Sequence, residues 1–180
     1  MASLGEKAPI DFFISGSGEF YLDLAYTILN LKVKIVKKNG SDLVETDHVA
    51  PLCYFLNTMF SKCTIYLNGK QIASQTNHAY RSYLESSLFY SKSAQKTLLG
   101  TALFSKNTAS HQNVVAATST NLGFNHRQTM CKLSSVVDLA GPLHFDLAAQ
   151  SKLLINGVSL RIKLEKHKNE FCLLSANDHF

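Results

Sequence analysis

An all-β, antiparallel, two-layer fold is what this sequence predicts, on three observations. Strand-like runs follow one another closely over residues 10–37, broken by glycine-bearing turns. The run 27–37 alternates: Leu29, Leu31, Val33 and Ile35 point one way, and Asn30, Lys32, Lys34 and Val36 the other. A period of two with one polar side marks a half-buried antiparallel strand. Asn68-Gly69 then separates the runs 64–67 and 71–74. Asn-Gly accepts the positive φ angles that a two-residue hairpin turn needs.

The elements follow in order. Residues 10–15 form a short apolar strand that ends at Gly16-Ser17-Gly18, and 21–24 form a second. Asn39-Gly40 closes the strand 27–37. In 48–60, Val49, Leu52, Cys53 and Leu56 have helical spacing, with Asp47 as N-cap and Pro51 near the start, where proline is tolerated. Residues 77–90 return to that spacing, with Tyr80, Tyr83, Leu84 and Leu88 on one side, and 93–103 continue as a second helix. Residues 105–127 are rich in Ser, Thr, Asn and Ala and read as a long loop. Strands resume at 129–138, 142–147, 158–165 and 171–175, turned at Asn156-Gly157 and at 166–169. These runs are read as about eight strands, making an eight-stranded antiparallel jelly-roll sandwich with helical insertions at about 48–60 and 77–103, in one domain over residues 1–180.

The composition sets limits. At 180 residues the chain is one domain by length, able to bury roughly 70% of its unfolded surface. Only 17% of residues are charged, against 46% hydrophobic. Low charge with many Phe and Tyr points to surface covered by neighbouring subunits. The net charge is +5, and the densest basic group is Lys32, Lys34, Lys37 and Lys38, read as a solvated strand face. Cys53, Cys63, Cys131 and Cys172 form no CxxC pair, so they read as buried free thiols in a reducing compartment rather than zinc ligands. No signal-peptide core or bilayer-length apolar run is present, and a soluble, intracellular chain is expected.

Chemistry-bearing motifs are few. Gly16-Ser17-Gly18 lacks the Lys-Ser/Thr of a phosphate loop and the spacing of a hydrolase elbow. His144 and Asp146, two apart on the expected strand, would project to one side. With His167 or His179 they would make a two-histidine, one-carboxylate iron site, the basis of an alternative reading as an Fe(II)-dependent jelly-roll oxygenase. His48, His78, His111 and His126 have no paired carboxylate or cysteine nearby in sequence. Tyrosines with Arg81 suggest base stacking, which keeps a nucleic-acid- or carbohydrate-binding jelly roll as a further alternative, but their helical spacing favours packing. Arg81 and Glu85, four apart, can pair.

The succession FFISGSGEFYLDL, LNLKVKIVKKNGSDL, MFSKCTIYLNGKQIAS, HAYRSYLESSLFYSKSAQKTLL and LLINGVSLRIKLEKHKNEFCLL covers nearly the whole chain. It resembles the N-terminal jelly roll of double jelly-roll major capsid (hexon) proteins of the Polinton (Maverick) and adintovirus-like group, whose genes also occur integrated in animal genomes. Such proteins continue past the position of Phe180 into a second jelly roll. Here the chain ends, which leaves open a truncated gene, a domain fragment or a shortened endogenous viral element. The resemblance implies a structural protein of the virion capsid, present in the host cell interior during assembly. It implies homotrimers that form pseudo-hexameric capsomers and meet other capsid proteins such as a penton. It implies no catalytic residue, no cofactor, no metal, no membrane insertion and only weak or indirect contact with nucleic acid. Phe20, Tyr21, Tyr80, Tyr83, Phe89 and Tyr90 are the candidate subunit-interface residues.

Overall fold

The computed structural model describes residues 8–16, 18–115 and 120–175. Among them, eight strands in antiparallel sheets, with short helices between, make the molecule mainly β, an arrangement consistent with a β-sandwich. The strands are β1 (Ile10–Ile14), β2 (Ile28–Val33), β3 (Val49–Pro51), β4 (Phe60–Leu67), β5 (Lys70–Gln75), β6 (Val137–Pro142), β7 (Leu160–Lys166) and β8 (Leu173–Ser175). The helices are α1 (Phe55–Thr58), α2 (His78–Phe89), α3 (Lys92–Lys96), α4 (Leu122–Cys131) and α5 (Asn169–Cys172). One sheet runs β1-β7-β4-β5; β2 pairs with β6, and β3 with β8.

Side-chain alternation sets the registers. β7 turns Leu160, Ile162 and Leu164 inward, opposite Leu67, Ile65 and Cys63 of β4. In the smaller sheet, Leu31 lies opposite Leu139, and Val33 opposite Val137. Leu29 and Ile35 are buried while Asn30, Lys32 and Lys34 are exposed, as the period of two requires. The inward sides meet Leu56, Leu99, Leu103 and Phe145 in one core. The Asn68-Gly69 hairpin forms with φ of 48° and 76°, both in the left-handed region. Gly16 is required by a close approach: a Cβ there would lie 2.5 Å from the Val158 backbone.

Several expected elements differ. The helix expected over 48–60 contracts to α1, because Val49–Pro51 is drawn into pairing with β8, more than a hundred residues away in sequence. Pro51 costs that short pair little, and the next donor, Leu52 N–H, bonds Cys172 O at 2.9 Å. The strand expected over 129–138 begins as helix. Asn121 caps α4 by accepting from Phe124 N, and Phe124, Arg127 and Cys131 bury one side of it. Residues 142–147 leave the sheet after Pro142 and form a 3₁₀ turn at Asp146–Ala149. Residues 21–24 make a single bridge, Leu22 to Leu154, before a 3₁₀ turn at Leu24–Tyr26. Residues 171–175 start in α5 and reach the strand only at Leu173. All four thiols are free, and burial raises each, to about 11 for Cys53, Cys131 and Cys172 and about 12 for Cys63.

Arg127 locks α4 to the sheets. Its side chain is fully buried and donates to Pro51 O at 2.7 Å, to Asn107 Oδ1 at 2.7 Å and to Ser105 O. A guanidinium spans three acceptors in one plane; an ammonium does not. Replacing Arg127 by Met, close in volume, strands one buried acceptor, Pro51 O, and two half-buried ones, Ser105 O and Asn107 Oδ1. It should lower unfolding free energy by about 3 kcal/mol or more, with Arg127→Lys recovering only part. Urea midpoints of the two variants against the parent check this, and an unchanged midpoint refutes the clamp.

Candidate functional site

The densest polar arrangement lies beneath α2. This helix turns His78, Ala79, Ser82 and Ser86 inward and Tyr80, Leu84 and Leu88 outward. An amphipathic surface helix does the reverse. Its inner groups therefore need polar partners, since an unpaired buried group costs about 1–3 kcal/mol. They find them on α1 and on the segment after β6.

Tyr54 begins this arrangement. It precedes α1 with φ 62° and ψ 45°, a left-handed conformation rare for an aromatic residue. Its N–H donates to Leu103 O at 2.9 Å, and its carbonyl accepts from Asn57 N and Thr58 N, both at 3.0 Å. So held, its phenol reaches His144 Nε2 at 2.8 Å. His144 Nδ1 lies 2.9 Å from Glu85 Oε2. A carboxylate only accepts, so Nδ1 carries the proton and Nε2 accepts from the tyrosine. Arg81 Nε donates to Glu85 Oε1 at 2.6 Å and Nη2 donates to Asp146 Oδ1 at 2.5 Å. The chain of bonds thus runs from the fully buried Tyr54 to the exposed Asp146. In parallel, Asn57 joins α2 to β6: its Nδ2 donates to Pro142 O at 3.1 Å, and its Oδ1 lies 3.2 Å from His78 Nε2. His78 Nδ1 is buried without a partner among the described residues.

Hydroxyl, imidazole and carboxylate in sequence have the outline of a nucleophilic triad. Tyr54 nevertheless does not behave as an activated nucleophile. Burial raises its phenol well above the usual range, and no part of it is exposed to a substrate. Burial would raise the Glu85 carboxyl too, but the hydrogen bonds from Arg81 and His144 outweigh it and hold Glu85 low. Burial lowers His144 and, more strongly, His78, which is pushed to about 3. The arrangement fixes a helix in place. A shallow depression lined by Asp11, Phe13, Gly69, Ser159 and Arg161 lies along β1 and β7 of the four-stranded sheet, and there Asp11 and Arg161 are bonded to each other.

The residues singled out from sequence are dispersed. His144 and Asp146 do not converge on a common ion. Both His144 ring nitrogens are engaged, and Asp146 faces Arg81. His167 stacks on Phe171 at 3.7 Å, and His179 lies outside the described residues. Among the described residues no three His, Cys, Asp or Glu side chains cluster as metal ligands. Phe20, Tyr21, Tyr80 and Phe89 are exposed. Tyr83 stacks on Phe104 at 6.0 Å, and Tyr90 lies edge-on to His144 at 6.4 Å; both pack against the core. Three of the four clustered lysines face carboxylates: Lys32–Asp138 at 3.6 Å, and Lys34–Asp42 and Lys37–Asp47 at 2.8 Å. No described helix is long and apolar enough to cross a membrane. The Arg81–Glu85 pair was legible from spacing; Tyr54, Asn57 and the inward His78 were not, because their partners come from distant segments.

No protein-family profile matches the chain, and no solved structure does. A protein of Caenorhabditis elegans, uncharacterized protein F54H12.2, is 24% identical over 182 residues, covering 96% of this chain and 41% of that protein. The chain therefore spans about two fifths of the length of this curated relative.

Two outcomes test the seam. Free histidine protonates near 6.5, whereas folded His78 does so near 3. The unfolded state binds more protons between these values. Stability is therefore full above about pH 6.5 and declines as pH falls toward 3. His78 alone should remove about 2 kcal/mol between pH 6.5 and 5. His78→Gln, which keeps a donor for Asn57, should flatten that slope in urea titrations at the two pH values, and equal slopes would refute the assignment. Tyr54→Phe should cost about 1–2 kcal/mol by leaving His144 Nε2 with only Ser86, at 3.3 Å, as measured by thermal melts.

Proposed function

We propose that this chain is a structural jelly-roll domain of the double jelly-roll major-capsid type, which works by self-association and not by catalysis. The nesting of strand pairs carries the reading. β1 with β7 encloses β2 with β6, which encloses the β4–β5 hairpin. A long antiparallel hairpin wrapped into two layers gives this order, and that is how a jelly roll is made. Two further pairs, β4 with β7 and β3 with β8, cross the nest. The large exposed apolar side chains support the same reading, since Phe20, Tyr26, Phe13 and Phe89 are each more than half exposed. A relative in an animal fits a family whose genes occur integrated in animal genomes.

On this reading the domain contributes one lobe of a capsomer, and three two-lobed chains close a six-lobed ring. Buried area and shape hold such assemblies together. Individual contacts can be weak because a lattice makes them multivalent. Negative-stain microscopy of the protein, expressed with the sequence that follows it in its gene, should show three-fold particles with six lobes. Dispersed single-lobed particles at high concentration, together with stoichiometric iron lost in His144→Ala, would replace this reading with the oxygenase one. A salt-sensitive shift of labelled DNA would point instead to nucleic-acid binding.

A further inference from the structure

Three asparagine–glycine pairs stand in turns: Asn39-Gly40, Asn68-Gly69 and Asn156-Gly157. The pair carries its own chemistry. The glycine nitrogen, unhindered by a side chain, attacks the asparagine Cγ, and the new C–N bond closes a five-membered succinimide. The side-chain nitrogen leaves as ammonia, taking the proton that the glycine nitrogen gives up. Water then opens the ring at either carbonyl, giving aspartate or isoaspartate, and nothing else is consumed. The attack has two requirements. The glycine nitrogen must turn to the Cβ side of the asparagine, and the amide oxygen, which takes on negative charge, needs hydrogen-bond donors.

The fold meets these requirements differently at the three places. Asn68 has the donors but the wrong backbone. Its Oδ1 accepts from Ser159 N at 2.8 Å and from Ser159 Oγ at 3.2 Å. Its φ of 48° is left-handed, and the ψ of about 47° that goes with it sets the Gly69 nitrogen opposite Cβ. Its N–H also donates to Ser159 O at 2.9 Å, so rotation would detach the hairpin from the start of β7. Asn156 has neither advantage. No donor meets its Oδ1 among the described residues, and Gly157 N donates to Gly16 O at 2.7 Å, where Gly16 lies too close for a methyl group. Asn39 has both. Its Oδ1 accepts from Ser41 Oγ at 2.7 Å and from Ser41 N at 3.0 Å, and its φ is outside the left-handed region. The bonds that close its turn, Gly40 N to Lys37 O at 2.8 Å and Lys37 N to Ser41 O at 3.0 Å, both lie within residues 37–41. Residues 38–41 are exposed, with open space around Gly40. Freeing the Gly40 nitrogen breaks one turn bond and disturbs no sheet, which puts it at the low-energy end of local openings.

We infer that Asn39 is a self-modification site, where the chain converts its own asparagine to aspartate or isoaspartate through the Gly40 nitrogen, with the Ser41 hydroxyl as oxyanion donor. The product adds one negative charge beside Lys37 and Lys38, in the densest basic group, and lowers the net charge of +5 by one. The isoaspartate form adds a methylene to the backbone of the turn, and its α-carboxyl is of the class that isoaspartyl methyltransferases esterify. The site is a slow clock of the protein's age. It does not depend on the capsid reading, since the chemistry is complete within one turn.

Peptide mapping by mass spectrometry, after incubation of the whole chain at neutral pH, tests this. A one-dalton gain should build up at Asn39 on the order of tenfold faster than at Asn68 or Asn156. In urea, where only the local sequence counts, the three rates should come within about threefold of one another. Ser41 is exposed, and Ser41→Ala should slow conversion of Asn39 about threefold or more in the folded protein and much less in urea. Labelling by an isoaspartyl methyltransferase should fall on residues 37–41 in parallel with the mass gain. The inference falls if Asn39 converts no faster than the other two in the folded protein, if the folded ratios equal those in urea, or if Ser41→Ala leaves the folded rate unchanged. Any of these results with three-fold particles intact would leave the proposed function standing.

Discussion

The polar seam under α2 is the constraint around which the rest of the structure is arranged. A helix that buries histidine and serine is stable only if the opposing surface supplies matched acceptors and donors. Supplying them here requires Tyr54 in a left-handed conformation, Asn57 turned into α1, and the chain after Pro142 leaving the sheet so that His144 can reach Glu85. Each of these departs from a local preference. Each is held by backbone bonds from elsewhere, such as Tyr54 N–H to Leu103 O. The strain at Tyr54 is of order 1–3 kcal/mol and has to be offset by the bonds it makes possible.

The strands were legible where they obey a local rule. The alternation from Leu29 to Ile35 and the hairpin at Asn68-Gly69 depend on neighbours in sequence, and both formed as their spacing indicates. The misread segments answer to distant partners. Val49–Pro51 has helical spacing on paper, but the partner that decides it is Leu173–Ser175. Residues 122–131 look like loop followed by strand until Arg127 is seen to need three acceptors on two other segments. Spacing put Tyr80, Tyr83, Leu84 and Leu88 on one side of a helix; Tyr80, Leu84 and Leu88 do share a side, but Tyr83 turns inward to stack on Phe104. It could not say that the side faces outward, because only the seam's partners make the opposite side the buried one.

Charge explains why the outward apolar surface matters. The chain carries a net charge of +5, yet its densest basic group is largely spent on local carboxylates: Lys32, Lys34 and Lys37 face Asp138, Asp42 and Asp47. Arg81 and Arg161 are likewise committed, to Glu85 and Asp146 and to Asp11. Exposed pairs of this kind add little stability, typically under about 1 kcal/mol each. What they do is pair three of the cluster's cations locally. A surface without focused potential discriminates partners by shape and apolar area, as a protein-on-protein contact does and as a polyanion cannot. The proposed structural role asks for that kind of surface. On the proposed role, the hydrogen-bonded seam beneath α2 would lower the ordering cost of any contact made by that surface.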